Sequence, residues 1–158
     1  MEQVTIRSAS LSDLEQLFVF EQAIIETERP FDATIRDGVG VRYYDLEALL
    51  SSPDAEVVVA EAGVEMIGSG FARIERSESY LKHDEHSYLG FMYVVPGHRG
   101  KGINQKIIAA LEAWSLSKGV TEMQLEVYCD NAAAIQAYEK SGYSRLILTM
   151  RKGLVQPE

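Results

Sequence analysis

Residues 88 to 118 constrain the chain most, because an uncharged apolar run, a glycine-rich basic loop and an amphipathic segment follow one another directly. Tyr88-Leu89-Gly90-Phe91-Met92-Tyr93-Val94 carries no charge and reads as a strand buried on both faces. The loop Val95-Pro96-Gly97-His98-Arg99-Gly100-Lys101-Gly102 interrupts the run. From about Gly102 to Lys118 the pattern is helical: Ile103, Ile107, Leu111 and Trp114 share one face, and Gly119 stops the helix. A helix start offers N–H groups with no internal partner and the positive end of the dipole. Glycines let an anion approach that backbone closely. Arg99, Lys101 and, one turn on, Lys106 add charge, so the loop suits a diphosphate. It is not a Walker A loop, since Gly102 rather than Ser or Thr follows Lys101. Nor is it the G-x-G-x-x-G dinucleotide turn, since Gln105 stands at the third position and the loop comes late in the chain.

The remaining elements set the fold class. Residues 3–8 read as an edge strand, and Ser10 and Asp13 open a helix striped by Leu14, Leu17, Phe18, Ile24 and Ile25. Residues 29–40 read as loop, and a short helix over 44–50 ends before Pro53. Val57–Val59 is strand, Ala62-Gly63 a turn, and Met66–Ile74 the return strand of a hairpin. Residues 77–85 are polar and expected to be exposed. Strands over 122–127 and 144–150 flank a helix over 131–141 that ends at Gly142. The expected fold is α/β in the α+β sense, a mixed, mostly antiparallel central sheet flanked by helices on both faces, in one domain over residues 1–158.

Composition narrows the function classes. Net charge is −9, which speaks against general nucleic-acid binding. The charge is divided: residues 1–86 hold 18 acids against 7 bases, whereas residues 87–158 hold 6 acids against 8 bases. The first part suits a cationic ligand and the second an anionic one, although a solvated acidic surface would give the same counts. Cys129 is the only cysteine, so no intrachain disulfide forms. With no leader-like start and no apolar run of membrane length, a soluble cytoplasmic protein is expected.

A second segment carries chemistry. Leu125 to Asn131 leads from a strand into a helix for which Asn131 is a good N-cap. Tyr138 lies nearly two turns on, about 10 Å along the axis on the same face, with small Ala134 between. Such a face would admit a thin chain; equally, Asn131 could simply cap and Tyr138 simply pack.

Together the two segments resemble the GCN5-related N-acetyltransferase (GNAT) superfamily. The signature V-x-P-x-x-R-G-x-G-I/V is matched by Val94, Pro96, Arg99, Gly100, Gly102 and Ile103. The motif N-x-x-A-x-x-x-Y-x-x-x-G-F/Y is matched by Asn131, Ala134, Tyr138, Gly142 and Tyr143. The chain departs from the pattern at Gly97, where Gln or Arg is common, and at Asn104, where a small residue is usual.

The resemblance implies an acetyl-CoA-dependent N-acetyltransferase, with no metal, that moves the acetyl group directly to a primary amine of a small molecule or peptide. It implies cofactor contacts from the strand end Met92, Tyr93 and Val94, from the loop Arg99, Gly100, Lys101, Gly102, Ile103 and Asn104, and from Asn131, Ala134 and Tyr138. Amides near Met92–Val94 would stabilise the oxyanion, and Tyr138 would be the general acid that protonates the leaving thiolate. A lysine-like amine, pKa about 10.4, must first lose a proton. Some members carry a glutamate base on the strand before the loop, but no acid stands there in Tyr88–Val94. The base candidates are therefore His86, then Glu85, then Glu28. The −11 of the first 86 residues suggests a cationic acceptor. Homodimers are common in the superfamily, although no segment signals an interface. The alternative is a non-catalytic acyl-CoA sensor or interaction module on the same fold.

Overall fold

The structure is a computed structural model and describes residues 3–155. Two compact units meet in the chain between Glu126 and Val127. The first unit holds a five-stranded sheet in the order β1 (Val4–Ser8), β2 (Ala55–Ala62), β3 (Glu65–Arg76), β4 (Glu85–Val94) and β5 (Met123–Leu125). Each neighbouring pair among the first four strands is antiparallel, and β5 runs parallel to β4.

Helices cover both faces. On one side α1 (Leu14–Glu28) and α2 (Leu46–Ser51) contribute Leu17, Phe20, Ile24, Leu46 and Leu49 to a buried cluster with Val57, Val59, Phe71 and Phe91. The period-2 alternation of β2 places Val57 and Val59 there and leaves Val58 and Ala60 to the other face. On that other face α3 (Ile103–Ser117) lies so close that a Cβ on Gly70 would come within 2.7 Å of Ile107 Cγ2 and of Met92 Sδ. At its far end Ser115 donates to Ser87 Oγ at 2.7 Å, a hydroxyl pair wholly removed from water.

Helix entry follows local chemistry. A short 3-10 turn over Leu11–Asp13 precedes α1, and the Asp13 carboxylate accepts the Ser10 N–H at 2.8 Å. Asp13 is also held by both Arg7 guanidinium nitrogens at 2.8 and 2.9 Å, and Arg7 reaches Glu61 as well. This hydrogen-bonded pairing holds the Asp13 carboxyl below the usual carboxylate range.

In the second unit, Asn131 caps α4 (Ala132–Lys140) by accepting the Ala134 N–H at 3.2 Å. The strand expected over 144–150 does not form: those residues are coil, with Leu146, Ile147, Leu148 and Met150 exposed. An apolar run becomes a strand only when a neighbour completes its ladder. Among the described residues, no helix is long and apolar enough to cross a membrane.

Candidate functional site

The site is built where β4 leaves the regular sheet. Its register with β3 passes from Phe71↔Gly90 to Ser69↔Tyr93, so Phe91 and Met92 together oppose Gly70. This is a β-bulge. Phe91 has φ 58, the left-handed region, and is the only described non-glycine residue there. That conformation costs of order 1–3 kcal/mol in a bulky residue and persists only when its surroundings hold it. Two side chains do so: Ser69 Oγ donates to the Phe91 carbonyl at 3.0 Å, and the Phe91 N–H donates to the Tyr44 phenol oxygen at 3.2 Å. On the opposite edge β5 pairs only with Ser87, Tyr88 and Leu89, so β4 continues past the end of its parallel partner. The backbone of Met92, Tyr93 and Val94 thus lies beyond the last β5 pair at Leu89.

The loop after β4 makes a single 3-10 turn over Pro96–His98, and the chain then enters α3 through Gly100 at φ 75 and Gly102 at φ 79. Gly102 is the N-cap and has no side chain to offer, and no acid stands in the first turn of α3. The leading N–H groups of α3, from Ile103 and Asn104 onward, therefore meet neither a capping side chain nor an acid of their own first turn. Arg99 Nε donates to the Val94 carbonyl at 2.8 Å, which draws the guanidinium back over the strand end, 5.7 Å from the Tyr93 ring. Lys101 is exposed beside it. A Cβ on Gly100 would meet nothing within 4 Å, so the loop is open. This donor set fits a diphosphate.

The face covered by α1 is acidic and aromatic near the bulge. Glu28 ends α1 half-buried, and burial raises its carboxyl above the usual range although the Tyr43 hydroxyl donates to it at 2.7 Å. Burial also pushes the Tyr88 phenol up to about 12, with the Glu126 carboxylate adding to the effect. Tyr43 and Tyr44 stack edge to face, 5.8 Å apart. His86 stands elsewhere. It is five residues before Phe91, about 16 Å along the strand at roughly 3.3 Å per residue. Its Nδ1 lies 2.9 Å from Ser77 Oγ, which also meets His83 Nδ1 at 2.7 Å, and its Nε2 lies 3.6 Å from Glu75. Glu85 is exposed at the first residue of β4, farther still from the bulge. Of the three base candidates, only Glu28 belongs to the tyrosine cluster that reaches Phe91.

Tyr138 lies half-buried on α4 in the second unit, its ring 6.1 Å from that of Tyr143, and Ala134 is one turn before it. Among the described residues no group of three or more His, Cys, Asp and Glu side chains is placed to hold a metal ion. The sequence reading missed Tyr44, Ser69 and Glu21, whose roles depend on contacts across 22 to 47 residues of chain.

Comparison with known proteins bears on the family and the fold. The model of the acetyltransferase (GNAT) family matches residues 15–143. A curated acetyltransferase of Pectobacterium atrosepticum is 32% identical over 115 residues, spanning 71% of this chain and 74% of the relative. Among solved structures, a mutant of the BH1408 protein of Bacillus halodurans superposes with a TM-score of 0.86 at 18% identity, covering 96% of this chain and 99% of the other. A predicted acetyltransferase of Clostridium acetobutylicum, crystallised with acetyl-CoA, gives a TM-score of 0.76 at 17% identity, covering 96% and 97%.

Proposed function

We propose that this chain, which belongs to the acetyltransferase (GNAT) family, transfers the acetyl group of acetyl-CoA to a cationic primary amine within a single catalytic domain. One observation carries the reading: a strand that bulges at Phe91 runs beyond its parallel neighbour into an open, basic loop at an uncapped helix start. Arg99, Lys101 and the N–H groups opened by Gly100 and Gly102 hold the diphosphate of CoA. The strand end Met92–Val94 offers main-chain groups to the pantetheine arm and N–H donors where charge develops on the acyl oxygen. Bound acetyl-CoA supplies the thioester.

Glu28 takes the ammonium proton, ahead of His86 and Glu85. What supports this is its half-buried carboxyl, raised by desolvation, beside Tyr43 and the bulge. Base catalysis near neutral pH favours a carboxylate moved upward in this way. Tyr138 gives its proton to the departing sulfur, a role supported by its place in the second motif together with Asn131 and Ala134. The cationic acceptor is supported by the 18 acids against 7 bases of residues 1–86.

The test is thiol release from acetyl-CoA against a panel of polyamines, aminoglycosides, lysine peptides and neutral amines, with wild type beside Tyr138→Phe. Turnover of one cationic class, lost in the Phe variant while CoA still binds, is the expected result. Preference for neutral amines with rates insensitive to ionic strength would refute the cationic acceptor. Binding of acetyl-CoA with no turnover of any amine would favour the sensor reading.

A further inference from the structure

The Phe91 bulge does more than bend a strand. In an antiparallel ladder successive N–H groups point alternately toward the partner and away from it. One inserted residue shifts that phase for everything after it. The bulge therefore decides which amides of Met92–Val94 face β3 and which face the edge beyond β5. Side-chain alternation is also broken: a Cβ on Gly90 would meet Phe71, and Phe91 packs in the same α1-side cluster.

Tyr44 holds this phase from outside the sheet. Its phenol oxygen accepts the Phe91 N–H, which the irregular register withdraws from ordinary pairing. Its ring is wedged edge-on against Phe71 at 5.3 Å and tilted against Phe91 at 5.5 Å, both fully buried. Its backbone is fixed as well. Glu21, a carboxylate with no exposure, accepts the Tyr43 N–H at 3.0 Å and the Tyr44 N–H at 2.8 Å and pairs with the Arg42 guanidinium. A helix side chain thus locks a loop, and the loop locks the strand.

We propose that Tyr44 is a positioning residue for acyl transfer, acting through the Phe91 bulge to aim the strand-end amides at the acyl oxygen, and that Glu21 fixes Tyr44 for this task. The proposal rests on the acetyltransferase reading, and the affinity part of its test needs no acceptor. Tyr44→Phe keeps the ring and removes only the oxygen. The experiment measures kcat, the dissociation constants of CoA and acetyl-CoA by calorimetry, and the melting temperature for wild type and for Tyr44→Phe, with Glu21→Gln as a second variant if it folds.

The expected result is a 10- to 100-fold fall in kcat, the scale of a displaced donor, with CoA affinity within about twofold of wild type. Wild type is expected to bind acetyl-CoA more tightly than CoA, a difference that reads the acetyl group, and Tyr44→Phe should narrow that preference toward one. An unchanged kcat with the preference retained overturns the proposal. So does a fall in which CoA affinity drops as much as kcat, since that marks a merely structural tyrosine, and so does a wild type that binds CoA and acetyl-CoA equally. If wild type acetylates no amine, the enzymatic reading fails by itself, and the affinity preference still decides the role of Tyr44.

Discussion

Replacing Gly90 by alanine tests the packing beneath the bulge. The new Cβ would lie 2.6 Å from both Cε1 and Cζ of Phe71 and 3.3 Å from Tyr88 Cε1. Carbon atoms at rest in a core stand about 3.5–4.0 Å apart, so the ring must retreat by roughly 1 Å. It has little room: Phe71 is fully buried, with Tyr44 edge-on at 5.3 Å and Tyr88 tilted at 6.3 Å. The φ of Gly90 is not in the left-handed region, so the penalty comes from contact alone. Overpacking of this kind costs about 1–3 kcal/mol. With a urea slope of about 2 kcal/mol per molar, the unfolding midpoint should fall by about 0.5–1.5 M. The double variant Gly90→Ala/Phe71→Leu provides the control, since a smaller side chain leaves space for the methyl group. Its cost should be less than the sum of the single costs by at least about 0.5 kcal/mol. An unchanged midpoint for Gly90→Ala, or strict additivity in the pair, would refute the reasoning.

Four further outcomes are expected. The acid limb of kcat/KM should lie above the ordinary glutamate value of about 4.3, because burial raises Glu28 and a base works only when ionised; Glu28→Gln should abolish that limb and slow turnover by roughly 10²–10⁴, as a pH–rate profile will show. Asp13→Asn should cost about 1–3 kcal/mol at neutral pH in chemical unfolding; since the folded carboxyl is depressed, this stability is complete above about pH 3.9 and is lost as pH falls through the lower folded value. Gly102→Ala forces a side chain into φ 79, which disfavours that turn by about 1–2 kcal/mol, so CoA affinity measured by calorimetry should weaken about tenfold with little change in melting temperature. Leu111→Ala, at a fully buried position of α3, should lower stability by about 2–5 kcal/mol in the same unfolding assay.

What could be read from the chain was whatever neighbours in sequence decide. The run Tyr88–Val94, the glycines at 100 and 102 and the stripe Ile103, Ile107 and Leu111 announce a strand, a turn and a helix within 30 residues, and α3 begins at Ile103 within one residue of the expected start. Asn131 likewise signals a cap by its own chemistry. The periodicity of α1 was legible, yet nothing near Glu21 in sequence marks its burial, because the groups that make it tolerable, the Arg42 guanidinium and the N–H groups of Tyr43 and Tyr44, lie more than 20 residues away. The polar stretch 77–85 hides a half-buried Ser77 between two histidines for the same reason. Leu146 to Met150 misled in the opposite direction: apolar content predicts a strand, but pairing makes one.

The Glu21 contact also governs the order in which the molecule can assemble. A carboxylate at zero exposure is tolerable only with its hydrogen bonds made. A chain that docked α1 while residues 42–44 still wandered would strand a bare anion in the core, a state removing one partner typically disfavours by about 3–5 kcal/mol. Helix and loop must therefore arrive together. Glu21 thus couples helix and loop, and partial unfolding that frees Tyr44 should release α1 in the same event.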